Sequence, residues 1–292
     1  MRLKMLPGDF NWLKFFGLNT PLIGPEISWT ETNAINNYLR LKQIRSRVAY
    51  KEEDVDIIVY TGGKTGSSSL ATACVQAAPY LNVTTFQMHQ EALACNFNPV
   101  DIIQAVRQQR LLIISSYREP ISRNMSAFFQ SITHITGMAM HQVLNSSVDE
   151  LIQIFIREYQ KHHWQDYHPF LDNDCKNIDN IDIFSKPFNQ VEGYQVYQTE
   201  KVTFLQLRFD NISNWQSIIR ENTHLANFRM MEINKAESKP INNLYRRFCN
   251  QIVLPKELLD DIFARSEQNL NYFYNQSQID QLKTKWYSCL QD

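Results

Sequence analysis

Residues 55–70 read VDIIVYTGGKTGSSSL, and the fold turns on how this stretch is parsed. Ile57, Ile58, Val59 and Tyr60 form an unbroken apolar run, as a strand covered on both faces requires. The run stops at Thr61-Gly62-Gly63-Lys64-Thr65-Gly66, and residues 67–78 follow as a helix-compatible segment closed by Pro79. Residues 83–88 read as a second strand, which begins a βαβ unit. Further out, the pattern predicts a helix over 99–109, a third buried strand over 111–115 and a helix over 121–132. Pro120 opens that helix, where its missing N–H costs nothing. This alternation predicts an α/β fold of three layers, α/β/α, with a central parallel sheet. Val148, Leu151, Ile152, Phe155, Ile156 and Tyr159 recur at helical spacing and predict an amphipathic helix. Residues 194–198 and 202–207 read as further strands, and 212–292 as mostly helical.

The composition fits one large folded domain: 292 residues, 43% hydrophobic and 20% charged, with only 8 Gly and 10 Pro. Residues 1–50, broken by Pro7, Pro21 and Pro25, read as an N-terminal extension packing on a single α/β domain over 51–292. A formal net charge of −1 provides no global field for nucleic acid or anionic lipid, so any anion site has to be local. No apolar run is long enough for a membrane span, and the first residues lack a secretory apolar core. A soluble, cytoplasmic protein is the expectation. Cys74, Cys95, Cys175, Cys249 and Cys289 are isolated, which argues against a disulfide framework or a zinc knuckle.

The glycine loop is an anion cradle by its chemistry. Glycines permit close backbone approach, the first N–H groups of the following helix lack internal partners, and Lys64 adds a full positive charge. A capped βα turn would look similar but would not need the lysine and the Ser/Thr cluster. The nucleotide-binding pattern G-x-x-x-x-G-K-[ST] matches only in its last letters, because its opening glycine would fall at Ile58, inside the strand. A shorter loop that grips one terminal phosphate fits better. The second constellation lies in 111–129, LLIISSYREPISRNMSAFF. Here Arg118 leaves a strand end before a Pro-initiated helix, Ser126 lies eight residues on, and Arg123 lies one turn before Ser126. A planar guanidinium fork and a hydroxyl suit a second phosphate group.

The pair K-[TS]-G-[ST]-[ST]-x-x-L and strand-R-x-P-x-x-R-x-x-S resembles the signature of sulfotransferases. The resemblance implies a P-loop-like sulfotransferase fold. It also implies that Gly63, Lys64, Thr65, Gly66, Ser67 and Ser68 hold the 5′-phosphosulfate, and that Arg118 and Ser126 hold the 3′-phosphate. The implied donor is 3′-phosphoadenosine 5′-phosphosulfate (PAPS), with no metal. The tail Lys283-Thr284-Lys285-Trp286-Tyr287-Ser288 is similar to the ending of a capsular polysaccharide synthesis family named for an N-K-W-Y-S motif, with Thr284 in place of Asn. A carbohydrate acceptor, in capsular or other extracellular polysaccharide, is what this second likeness implies.

Lys64 and His89 are the expected catalytic residues, His89 as base because it ends the second strand beside the loop, with Glu91 as its nearest substitute. His163, Trp164 and His168, in a polar and aromatic stretch after His162, are the expected acceptor contacts. Asp210 is expected to be structural, and Tyr272, Phe273 and Tyr274 either cover the nucleotide or fill core. Two other classes remain open: a kinase or NTPase using the same loop, and a non-catalytic binding protein for polysaccharide assembly.

Overall fold

The structure, a computed structural model, describes residues 55–77, 85–89, 110–162, 180–230 and 241–287. The N-terminal extension, the helix expected over 99–109, Glu91, His163, Trp164 and His168 lie outside these residues. The first apolar run forms β1 (Val55–Thr61), and the serine-rich segment after the loop forms α1 (Ser67–Ala77). Next come β2 (Thr85–His89), β3 (Arg110–Tyr117) and α2 (Pro120–Gln130), followed by two short helices, α3 (Ile132–Thr136) and α4 (Met140–Asn145). The chain continues through α5 (Val148–His162), β4 (Tyr194–Gln198), β5 (Val202–Arg208) and a 3-10 turn over Phe209–Asn214. It closes with α6 (Trp215–Asn222), α7 (Asn242–Gln251), α8 (Lys256–Arg265), α9 (Glu267–Phe273) and α10 (Gln276–Tyr287).

The strands make one sheet in the order β2-β1-β3-β5-β4. β1 pairs in parallel with β2 and β3, and β3 with β5. The central sheet is parallel as expected except at its β4 edge, which runs antiparallel to β5. Only residues 199–201 separate these strands, far fewer than the dozen or so that a parallel crossover needs. The Thr199 N–H donates to the Val202 carbonyl at 2.9 Å and closes the hairpin.

Side chains alternate across the sheet and meet helices on both faces. Ile57, Val59, Leu112, Ile114, Leu205 and Leu207 pack with Leu70, Ala73 and Cys74 of α1 and with Trp215 and Ile219 of α6. On the other face Ile58, Tyr60, Ile113 and Phe204 join Phe128 of α2, Phe155 of α5 and Phe248 of α7, whose rings lie 5.4–5.8 Å apart. The chain therefore leaves β1 over one face and β3 over the other. The strand order turns back between β1 and β3, the place where open α/β sheets form a crevice at their carboxyl ends. No helix among the described residues is long and apolar enough to cross a membrane.

Candidate anion site at the switch point

Both motifs emerge on this crevice. Val59 pairs with Ile114, so the loop after β1 and the β3–α2 turn leave the same edge side by side. The glycine loop is tied to its neighbour carbonyl by carbonyl. The Thr65 hydroxyl donates to the Gly62 carbonyl (2.7 Å), Arg123 Nε to Gly63 (3.0 Å), Arg118 Nη1 to Lys64 (3.1 Å) and the Ser116 hydroxyl to Thr65 (2.8 Å). A trans peptide directs its N–H opposite to its C=O. Holding the Gly63, Lys64 and Thr65 carbonyls against the segment from β3 to α2 therefore turns the amides of Lys64, Thr65 and Gly66 the other way.

The backbone within the loop alternates in hand. Lys64 has φ 70° and Gly66 φ 88°, whereas Gly62, Gly63 and Thr65 are not at positive φ. Alternation of this kind curls successive N–H groups into an anion-binding nest. The φ freedom expected of the glycine pair is thus used at Gly66 and, unusually, at Lys64. The left-handed φ favours glycine at 66, where a Cβ would also stand tight against the Trp215 ring, at 3.0 Å. Thr65 and Ser67 are buried, Lys64 is half-buried and Ser68 is exposed. The Thr61 hydroxyl, fully buried at the foot of the loop, has no hydrogen-bond partner among the described residues.

Arg118 lies with its guanidinium 4.5 Å from the centre of the Phe209 ring, beside the loop. The second motif thus meets the first directly. Ser126 is half-buried in the second turn of α2, on the helix stripe that also carries Ser122 and Phe129. Arg123 does not face outward with Ser126. It is 5% exposed, holds Gly63 and donates to Asn124 Oδ1 at 2.8 Å, so it acts as a strut under the loop. Asn124 Nδ2 in turn donates to the Tyr159 hydroxyl at 2.8 Å, which brings the last turn of α5 to the glycine-loop side.

The backbone of His89 pairs with Thr61, next to the loop. Arg208, 5% exposed, binds Asp210 at 2.6 Å and the Phe273 carbonyl at 2.9 Å. Asp210 thus has the structural partner expected of it. Of the two roles considered for the 272–274 aromatics, the structure takes core. Phe273 is fully buried and stacks on Tyr117 at 4.1 Å, Tyr274 is 4% exposed, and Tyr272 donates its hydroxyl to the Ile183 carbonyl.

Sequence reasoning missed Ser116 and Phe209. Ser116 left a signal, a hydroxyl at the end of an otherwise apolar strand. Phe209 carries none, because it reaches Arg118 from a segment about ninety residues away. No family model, no curated protein and no solved structure matches the chain.

Proposed function

We propose that this protein is a sulfotransferase of P-loop-like fold that transfers the sulfuryl group of PAPS to a hydroxyl of a carbohydrate, in capsular or other extracellular polysaccharide synthesis. One observation carries the reading: the glycine loop and the β3–α2 turn lie side by side at the switch point, joined by the bond from Arg118 to the Lys64 carbonyl. Lys64 and the amides of 64–68 would hold the 5′-phosphosulfate, and Arg118 with Ser126 the 3′-phosphate.

PAPS supplies an activated sulfuryl group and a 5′-phosphate leaving group. The acceptor oxygen forms the new S–O bond as the bond from sulfur to the 5′-phosphate oxygen breaks. His89, on the strand beside the loop, would take the acceptor proton. Lys64 and the nest amides would stabilise the negative charge that grows on the leaving phosphate, where fixed donors act most strongly. His163, Trp164 and His168 would contact the acceptor.

The test is a thermal-shift comparison of adenosine 3′,5′-bisphosphate with ADP, with and without magnesium. The native protein is expected to prefer the bisphosphate. Ser126→Ala, which leaves the loop's own bonds in place, and Arg118→Ala are both expected to reduce that preference. A magnesium-dependent preference for ADP would instead identify a nucleotide kinase or NTPase.

A further inference from the structure

A line of buried polar side chains runs from the core to the glycine loop. Tyr159 ends the apolar stripe of α5, fully buried, with its ring edge-on to Phe155 and centroids 5.6 Å apart. A phenylalanine would fill that place as well, so packing alone does not require the hydroxyl. It accepts from Asn124 Nδ2 at 2.8 Å, and Asn124 is itself fully buried. A guanidinium only donates, so the carboxamide presents its oxygen to Arg123 Nη1, at 2.8 Å, and its nitrogen to the phenol. Arg123 in turn directs its Nε to the Gly63 carbonyl at 3.0 Å.

Three hydrogen bonds in series thus connect α5 to one peptide plane of the loop. The N–H groups of a guanidinium lie in a rigid fork, so moving the Asn124 amide moves the Nε that holds Gly63. The Gly63 carbonyl shares its peptide plane with the Lys64 N–H and points opposite to it. That N–H belongs to the residue whose φ of 70° curls the nest. We propose that Asn124 and Tyr159 are positioning residues for the first cradle, holding Arg123 in the orientation that aims the Lys64 N–H at the 5′-phosphate group of the nucleotide. This inference rests on the sulfotransferase reading and extends its binding machinery through α2 into α5. Burial makes each bond in the line costly to break, because a group that loses its partner there has no water to replace it.

Tyr159→Phe removes one oxygen and keeps the ring against Phe155, so the variant is expected to fold, which its ligand-free melting temperature reads independently. Asn124→Leu removes both bonds of the amide at similar side-chain size. Binding of adenosine 3′,5′-bisphosphate and of adenosine 3′-monophosphate is measured calorimetrically on the full chain, native and variant. Loss of one buried hydrogen bond predicts about 3- to 12-fold weaker bisphosphate binding for Tyr159→Phe, with the 3′-monophosphate within about twofold. Asn124→Leu is expected to show the same selective loss, at least as large. If the native protein favours the bisphosphate and both variants keep the full preference, neither residue orients the loop while the sulfotransferase reading stands. An equal loss for both ligands also overturns the positioning role. A native protein that binds the bisphosphate no better than the 3′-monophosphate overturns both.

Discussion

Lys64 sits where a glycine would be more comfortable. A left-handed φ of 70° brings Cβ toward the following carbonyl oxygen and costs about 1–2 kcal/mol for a residue with a side chain. The loop retains a cation at a strained position, as functional sites often do. Lys64→Gly is therefore expected to raise stability by roughly 0.5–1 kcal/mol in urea unfolding, after the entropic cost of glycine is subtracted, while abolishing nucleotide-induced thermal stabilisation. Lower stability would mean that the lysine side chain contributes more than the strain removes. The identity of these loop residues was legible in the sequence. Which of them turns left-handed was not, because that depends on Arg118 and Arg123 pulling on the carbonyls of residues 64 and 63.

Among the elements, α2 depends most on its first residues. Glu119 is 8% exposed, and its carboxylate accepts from the N–H groups of Ile121 (2.8 Å) and Ser122 (2.9 Å) and from the Ser122 hydroxyl. It caps the helix that carries Arg123 and Ser126, and it places negative charge at the positive end of the dipole. Glu119→Ala is expected to cost about 1–2 kcal/mol in urea unfolding and to weaken bisphosphate binding, because the strut Arg123 loses its footing. The same loss of stability with binding unchanged would show that the cap serves the fold alone. The strand limits at 194–198 and the Pro120 helix start were readable from local pattern. β3 extends past its apolar run to Tyr117 because Ser116 and Tyr117 keep pairing with Leu207 and Arg208 of β5, a partner about ninety residues away.

Over the whole molecule, the two faces of the sheet are sealed by different helices, and Cys74 records how dry the α1 face is. Burial pushes its thiol up to about 12 from an ordinary value near 9. The folded state thus favours the protonated thiol. Its contribution to stability is fully present below about pH 9 and is lost as pH rises from 9 toward 12. Stability measured by urea unfolding between pH 9 and 11 should fall more steeply for the native protein than for Cys74→Ala; equal slopes would mean that α1 opens to water before the thiol ionises.

The amino-acid sequence by itself determined the βα alternation, and with it the glycine loop after β1 and the Arg118–Ser126 segment after β3, because strand burial, helix starts and turn chemistry are written over short windows. It also contained the antiparallel edge hairpin, in the three residues between β4 and β5. Only the tertiary structure decided that Arg123 lies under the loop instead of facing a ligand. It likewise decided that Phe209 lies against Arg118, and that Phe273 and Tyr274 belong to the core. Those outcomes depend on which distant surfaces meet once the sheet has ordered its strands and two helical layers have closed over it, and no local pattern encodes such contacts.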